Sequence, residues 1–214
     1  MPTASVSVIP RVLVVLVPAL VGAGGLLTAS TADRGSVLFY VATFFTAAVY
    51  VLAWWFEGRG RESFSRTAWG RDLARGAALG LIFLAVFALG ALVVRPFPVL
   101  ADPVVSLLEN VRQGALWLTV LTTAVNGVAE ELFFRDVVPR NITGRPSVVA
   151  VCSVGLYTAV TIAMGVPLLV FAAVIIGGAT YFEARSTRRL FSPIALHLVW
   201  SLGMLVVLPP LMGS

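Results

Sequence analysis

Three ionisable side chains lie close together in an otherwise apolar stretch, GVAEELFFRDVVPR, at residues 127–140. Glu131 and Arg135 are four residues apart with the glutamate first, so a helix would place them on one face in the favoured order for an ion pair. Glu130 would point about 100° away from that face and has no partner within its own turn. We therefore expect one carboxylate to be neutralised by arginine, and the other to remain free to accept a proton, as a general base does.

The depth of Glu130 in its segment favours a functional role. It lies nine residues before Pro139, which is roughly 13 Å inside a helix that rises 1.5 Å per residue. A carboxylate at that depth in a membrane costs about 2.5 kcal/mol or more, so such residues face the interior of a helix bundle. For Glu131 and Arg135, a purely structural ion pair that fixes helix packing is the alternative. Gly127 would allow a neighbouring helix to approach closely.

A second group capable of acid–base chemistry is His197, the only histidine of the chain. It follows Pro193 by four residues, roughly 6 Å into another apolar segment, and Ser201 lies one turn further along the same face. A histidine near an interface often only packs, but a second titratable group on the side of Glu130 indicates a shared site. Glu183, close to Arg185, is interpreted as a side chain that reaches the membrane interface.

The elements that position these residues are predicted to be membrane spans. Of the 214 residues, 59% are hydrophobic and 12% are charged, whereas a soluble domain carries about 25% charged residues. A span needs about 20 apolar residues. The pattern predicts an all-α, polytopic transmembrane bundle that forms a single integral membrane domain over residues 1–214. Its seven spans are expected near 11–30, 37–56, 74–94, 113–138, 147–164, 167–184 and 193–209.

The distribution of arginine predicts the orientation of the bundle. The basic residues are all arginine, and the loops 57–73, 139–146 and 185–191 are rich in them. In the loops 31–36 and 95–112, Arg34, Arg95 and Arg112 are balanced by acidic residues. This bias follows the positive-inside rule and predicts a cytoplasmic N-terminus. Trp54 and Trp55 are expected at the cytoplasmic interface, and the loop 57–73 is either a surface-lying amphipathic segment or a solvated loop.

Composition also bears on partners and processing. The net charge of +5 does not indicate nucleic acid, because the arginines fall in loops between apolar segments. The expected environment is the lipid bilayer, of a bacterial plasma membrane on the heavy Ala, Gly, Val and Arg usage. Residues 1–30 are interpreted as a retained first helix, with a cleaved signal peptide as the alternative. Cys152, the only cysteine, is expected to be a small buried apolar side chain.

The motif EELFFR resembles the EExxxR signature of the CAAX-protease and bacteriocin-processing family of membrane endopeptidases (Abi-type). The family's signatures are EExxxR, then FxxxH, then HxxxN. The resemblance covers about residues 113–208. The first signature is intact at Glu130, Glu131 and Arg135, followed by Asp136 where the family usually has glycine.

The second and third signatures of the family are degraded. Tyr157 stands in the phenylalanine place and Thr161 in the first histidine place, whereas His197 matches and Ser201 replaces asparagine. The resemblance implies that Glu130 activates a water and that His197 steadies the oxyanion. Hydroxyl groups at 161 and 201 do not carry the proton chemistry of imidazole. Slower hydrolysis, an altered mechanism and loss of catalysis are all compatible with these replacements.

Three functions remain open at this stage. The first is an intramembrane endopeptidase that cuts a membrane-associated peptide or a lipidated protein. The second is an inactive relative that acts as a scaffold or partner subunit of another membrane protein. The third is a small ion or solute carrier with Glu130 as its proton site. No cofactor is expected, and no metal either, because catalytic zinc takes about three protein ligands, typically including two or more histidines or cysteines.

Overall fold

The computed structural model describes residues 10–33, 35–113 and 115–213. The α-helices are α1 (Arg11–Thr31), α2 (Val37–Glu57), α3 (Trp69–Val94), α4 (Pro98–Gln113), α5 (Leu116–Leu132), α6 (Val138–Asn141), α7 (Pro146–Thr161), α8 (Pro167–Thr187) and α9 (Phe191–Met212). Two 3-10 helices, Gly60–Phe64 and Arg66–Ala68, join α2 to α3. A π-helical turn, Phe133–Val137, links α5 to α6, and a 3-10 turn, Ile162–Met164, follows α7.

The all-helical, polytopic bundle expected from the sequence is confirmed. Six helical segments are long and apolar enough to cross a membrane: 11–31, 37–57, 60–94, 146–164, 167–187 and 191–212. They correspond to six of the seven predicted spans. The fourth predicted span, 113–138, is not among them: its α-helix, α5, has 17 residues and ends with the two glutamates and Leu132. It runs without interruption through α5, the π-turn and α6, long enough to cross at about 1.5 Å per residue, and its crossing stays a prediction.

The distribution of side chains is that of a protein surrounded by hydrocarbon. Leu81, Val86, Leu89 and Val93 of α3 are each more than half exposed. Charged side chains are found inside instead, where Asp72, Glu131, Arg135, Asp136 and Glu183 are each at most 4% exposed. Charged residues within membrane segments face the bundle interior and pair with one another. The buried charges therefore indicate where the polar interior of the bundle lies.

The segment between the third and fourth predicted spans is not the simple loop that the sequence suggested. Most of it forms α4, whose Ala101, Val104 and Leu108 pack on Met212 near the end of α9. Helical spacing of three and four residues puts these apolar side chains on one face. The short helix is thereby held against the bundle.

The loop between α2 and α3 packs on the bundle through part of its length, which excludes a simply solvated loop, whereas the interpretation as a segment lying on the membrane surface stays a prediction. Phe64 contacts the ring of Trp54 and that of Phe191, with ring centroids 5.9 Å and 5.4 Å apart, and Ser63 is buried. Trp54 points into this cluster, whereas Trp55 is 74% exposed, as expected of an interfacial tryptophan.

The three arginine-rich loops meet at one end of the bundle. Arg59 pairs with Asp136 at 2.9 Å, and Arg189 pairs with Asp72. The amide of Leu190 donates to the carbonyl of Ser63. These contacts agree with one basic, cytoplasmic face, although the orientation itself stays a prediction. Arg34 and the side chain of Arg112 lie outside the described residues.

Close helix contacts fix the frame around α9. The carbon of a side chain at Gly76 of α3 would collide with the backbone of Ser192, so α3 and α9 touch backbone to backbone. Small residues allow such approach in membrane bundles.

Cys152 on α7 is exposed, so the expectation that it is buried is wrong: its position on the helix turns it outward, beside Leu156.

The π-turn Phe133–Val137 directs consecutive side chains of the charged motif to different partners. Phe133 and Phe134 are buried, and Phe133 stacks on Tyr50 of α2 with centroids 4.9 Å apart. The next two side chains, Arg135 and Asp136, are also buried but face different partners. Single π-turns within α-helices occur frequently at functional sites.

Candidate active site

Glu131 is the central carboxylate of the site. It is completely buried, and its Oε2 lies 3.1 Å from Nε of Arg135 in the expected i, i+4 ion pair. Its other oxygen, Oε1, lies 2.8 Å from Nδ1 of His197 on α9. The carboxylate that the sequence assigned only to Arg135 therefore holds the histidine as well. Two positive or donor groups on one buried carboxylate compensate for its desolvation.

His197 joins the two glutamates. With Nδ1 hydrogen-bonded to Glu131, its other nitrogen, Nε2, is turned towards Glu130 and lies 3.9 Å from Oε2 of that residue. The partner of one ring nitrogen fixes the ring orientation and the proton on that nitrogen. A separation of 3.9 Å is too long for a hydrogen bond. His197 and Glu130 thus face each other while each remains able to bind a third group.

The close approach of α9 to α5 depends on Gly127. A side-chain carbon at this position would lie 3.0 Å from Leu198 and 3.9 Å from the ring of His197. The first distance is tighter than ordinary van der Waals contact, and the second shows how closely the imidazole passes over α5. The close approach expected at Gly127 is therefore observed, and it brings the imidazole within reach of both glutamates.

Glu130 has a partner that the sequence did not suggest. The hydroxyl of Tyr157 on α7 donates a 2.9 Å hydrogen bond to its Oε2. The expectation of an unpartnered carboxylate is correct only within its own helix. Glu130 nevertheless differs from its neighbour in access, because its side chain is 16% exposed and that of Glu131 is 0% exposed. Glu130 is therefore the more accessible carboxylate of the pair.

Arg135 connects the site to α8. Its Nε donates a 2.7 Å hydrogen bond to the hydroxyl of Thr180, and its guanidinium carbon lies 4.6 Å from the ring centroid of Tyr157. Within the described residues its two terminal nitrogens have no hydrogen-bond partner. A guanidinium over an aromatic face is attracted by the ring, which offsets part of the cost of burying these groups.

Tyr157 itself is positioned by a close contact with α8. A side-chain carbon at Gly177 would lie 2.8 Å from Cδ1 of Tyr157 and 3.6 Å from a terminal nitrogen of Arg135. The aromatic ring of Phe134 also packs on Tyr157, with centroids 5.0 Å apart. The hydroxyl of Tyr157 therefore reaches Glu130 from a ring that is held on both faces.

Thr161 and Ser201 make no hydrogen bond to this cluster in the part of the chain that the structure describes. The hydroxyl of Thr161 donates to the carbonyl of Tyr157 at 2.9 Å, and that of Ser201 to the carbonyl of Leu198 at 3.5 Å. Both bonds stay within their own helices. Among the described residues the structure brings together Glu130, Glu131, Arg135 and His197, and adds Tyr157 and Thr180. The sequence placed Tyr157 at the phenylalanine position of the motif, and its hydroxyl, four residues before Thr161, was the only signal of a polar role.

Asp136 belongs to a second polar cluster beside the site. Its buried carboxylate accepts hydrogen bonds from Nε1 of Trp54, the amide and Nε of Arg59, and the hydroxyl of Ser63, at 2.8–2.9 Å. Four donors on one carboxylate explain why this charge is tolerated where the family usually has glycine. Its contacts attach the loop after α2 to the π-turn.

Glu183 is also buried in a cluster, which corrects the expectation that it reaches the interface. Its Oε1 accepts a 2.8 Å hydrogen bond from Arg75, and its Oε2 accepts a 2.6 Å bond from the hydroxyl of Ser192. The partner is thus an arginine of α3, and not the neighbouring Arg185.

No metal-binding group of three or more His, Cys, Asp and Glu side chains occurs in the part of the chain that the structure describes.

An apolar cavity of about 440 Å³ begins at Trp200, one helical turn after His197 on α9, and neither His197 nor a glutamate of the site lines it. It lies between α3, α4, α8 and α9, and its lining includes Trp200, whose ring centroid is 6.3 Å from that of His197. The indole N–H of Trp200 is buried without a hydrogen-bond partner among the described residues. A large apolar cavity with one polar group next to acid–base residues has the character of a ligand-binding site.

The fold and the site define a class of protein: a polytopic membrane protein whose helices enclose a glutamate pair, a histidine and an arginine. Residues 112–203 match the family model described as type II CAAX prenyl endopeptidase Rce1-like. The resemblance to the CAAX-protease family drawn from the EELFFR motif is thereby confirmed over this segment. No curated protein and no solved structure matched the chain.

Proposed function

We propose that the chain is an intramembrane endopeptidase that hydrolyses a peptide bond in a membrane-associated substrate. One observation carries the proposal: the accessible Glu130 faces Nε2 of His197 at 3.9 Å, while the inaccessible Glu131 holds Nδ1 at 2.8 Å. The two adjacent glutamates thus have different tasks. One can reach a water and a substrate, and the other orients the histidine.

The reaction that this geometry supports begins with water. Glu130 accepts a proton from the water, whose oxygen attacks the carbonyl carbon of the substrate. The carbonyl oxygen gains the negative charge, and the N–H on Nε2 of a doubly protonated His197 stabilises it, because Nδ1 keeps its own proton in the hydrogen bond to Glu131. The intermediate collapses, the carbon–nitrogen bond breaks, and the leaving amine takes the proton from Glu130. A carboxylic acid and an amine are released, and Glu130 is again ionised.

Tyr157 and Arg135 support these steps without supplying the attacking group. The hydroxyl of Tyr157 hydrogen-bonds Oε2 of Glu130 and limits the rotation of the carboxylate. Arg135 neutralises Glu131, so that the imidazole is held by a carboxylate whose charge is balanced. Thr161 and Ser201 remain proposed members of the site through the motif alone, since their hydrogen bonds are to their own helices.

The apolar cavity next to Trp200 indicates what kind of substrate the protein would bind. Its lining is almost entirely aliphatic and aromatic, so it suits a hydrophobic segment or a lipid chain attached to the substrate. A membrane-associated peptide or a lipidated protein tail has such a group. We infer further that the protein works in the plasma membrane of a bacterium.

The test uses the full chain, reconstituted in lipid vesicles, with prenylated tail peptides and leader-type peptides as substrates. Cleavage is followed by mass spectrometry for the parent and for Glu130→Gln. We expect the parent to cut at least one peptide and the variant to be at least about a hundredfold slower, as for loss of an acid–base group. Equal rates for the two proteins, or no cleavage by the parent of any peptide in the set, would contradict the proposal.

A second candidate is an inactive relative that serves as a partner subunit of another membrane protein. It is favoured by the replacement of the first motif histidine with Thr161, whose hydroxyl is bonded to its own backbone. This alternative predicts that a stoichiometric membrane protein co-purifies with the chain and that Glu130→Gln leaves the complex and its cellular role unchanged. Isolation of an active monomer would exclude it.

A further inference from the structure

A polar cavity lies at the arginine-rich end of the bundle, and none of its lining residues belongs to the glutamate–histidine site. Its volume is about 500 Å³, and its six lining residues are all polar: Arg71, Asp72, Arg75, Ser186, Thr187 and Arg189. A cavity lined by polar residue types alone is unusual in a chain that is 59% hydrophobic. The cavity therefore suits a charged or strongly polar ligand.

The arginines of the cavity come from two sides. Arg71 and Arg75 are one turn apart on α3, so they share a face, and Arg189 belongs to the turn between α8 and α9. Arg75 is bound to Glu183 and Arg189 is bound through two nitrogens to Asp72. These contacts hold two guanidinium groups in place, while Arg71 has no ion-pair partner in the described part of the chain.

The bound arginines keep donors for a ligand. The side chain of Arg75 is 49% exposed although one of its nitrogens is bound to Glu183. Both carboxylates are at most 3% exposed, and of the two only Asp72 lines the cavity. Three arginines against two acids leave the cluster positive, and planar guanidinium groups match the geometry of phosphate oxygens.

The turn that closes the cavity is braced. The hydroxyl of Thr187 donates to the carbonyl of Glu183 at 2.8 Å, and the hydroxyl of Ser186 donates to the same carbonyl at 3.2 Å. Arg188 adopts the left-handed conformation, with φ of 56°, which turns the chain towards α9. Arg189 is therefore presented from a fixed turn.

The position of the cavity favours a membrane lipid as the source of a phosphate ligand. Trp69, two residues before Arg71, is 53% exposed, as is typical of an aromatic residue at the level of the lipid headgroups. Basic pockets between membrane helices on the cytoplasmic side recognise anionic headgroups. We propose that the cavity lined by Arg71, Arg75 and Arg189 binds the phosphate of an anionic phospholipid of the leaflet that it faces.

The experiment compares three probes on the purified full chain in a neutral detergent. Dihexanoyl-phosphatidylglycerol, dihexanoyl-phosphatidylcholine and glycerol phosphate are titrated, and bound molecules are counted by native mass spectrometry. We expect the phosphatidylglycerol to bind at least about fivefold more tightly than the phosphatidylcholine, because only its phosphate lacks a compensating cation. Equal affinity for the two lipids would overturn the proposal.

The variants separate a built site from general surface charge. Arg71→Gln removes a cavity arginine that has no ion-pair partner among the described residues, and Arg66→Gln removes an exposed arginine of the preceding loop that does not line the cavity. We expect the first to weaken phosphatidylglycerol binding about fivefold and the second less than twofold. Equal losses would refute the site. Binding of glycerol phosphate as tight as that of the lipid would assign it to a soluble phosphate ester and overturn the lipid assignment.

Discussion

Replacing Glu131 with glutamine keeps the shape of the side chain and removes the charge that faces Arg135 and His197. Both members of the Glu131–Arg135 pair are completely buried, so the variant leaves a guanidinium without its counter-ion in the bundle interior. Removing one partner of a buried ion pair costs about 3–5 kcal/mol. The hydroxyl of Thr180 and the ring of Tyr157 remain next to Arg135, so we expect the lower end, about 3 kcal/mol.

The adjacent substitution Glu130→Gln is the matched control. It makes the same chemical change one residue earlier in the same helix, but its side chain is 16% exposed and faces no arginine at bonding distance. A loss of about 3 kcal/mol corresponds to a fall in Tm of about 6–12 °C for a chain of this length. We expect this fall for Glu131→Gln and a change of at most about 2 °C for Glu130→Gln.

Thermal unfolding of both variants in one detergent, followed by tryptophan fluorescence, measures the two shifts, and the cleavage assay is run on the same samples. Glu130→Gln should be folded and inactive, whereas Glu131→Gln should be unstable. If Glu131→Gln melts with the parent, the pair does not hold α5. If Glu130→Gln is the less stable of the two, the division of tasks between the glutamates is reversed.

Three further substitutions test neighbouring contacts. Tyr157→Phe keeps the ring under Arg135 and loses the hydrogen bond to Glu130, so kcat/KM should fall about tenfold with little change in Tm. Asp136→Asn removes the charge on which four donors converge, and should lower the free energy of unfolding by about 2 kcal/mol and speed proteolysis of the loop after α2. Gly177→Ala places a carbon 2.8 Å from the ring of Tyr157 and should reduce kcat, whereas Gly178→Ala meets nothing within 4 Å and serves as its control.

Each of these expectations has an outcome that contradicts it. Full activity of Tyr157→Phe would show that its hydroxyl does not position Glu130. Unchanged proteolysis of Asp136→Asn would show that the loop is held by its aromatic contacts alone. Equal effects of the alanine variants at 177 and 178 would mean that helix flexibility, and not contact with Tyr157, explains the loss.

Contacts between residues near in sequence could be predicted well. The Glu131–Arg135 pair follows from helical spacing alone, and the helix ends follow from apolar runs bounded by arginine and proline. His197 was expected to share a site with Glu130, but its hydrogen bond to Glu131 was not predicted. Sequence spacing within one helix does not determine which of two adjacent carboxylates meets a residue of α9.

Contacts across the bundle could not be predicted, for reasons of depth and register. Thr161 occupies the motif position but lies one turn, about 6 Å, beyond Tyr157 along α7, so Tyr157 is the hydroxyl that reaches Glu130. The contacts of Asp136 with Trp54, Arg59 and Ser63 join segments more than 70 residues apart. The replacement of the family's glycine by Asp136 indicates a local difference in structure, but the sequence does not show which loop the carboxylate binds.

The π-turn Phe133–Val137 constrains the length of the motif as well as its composition. It holds one more residue per turn than an α-helix does, and it stands between Glu130 and Asp136. A π-turn is an α-helical turn with one residue inserted, so deleting a single residue here would restore regular α-helix and keep the flanking faces nearly in register. It would, however, remove one of the five buried side chains of Phe133–Val137 and with it part of their packing against α2, α8 and the loop after α2. Natural variants of this chain should therefore change residue types in this segment more readily than they change its number of residues.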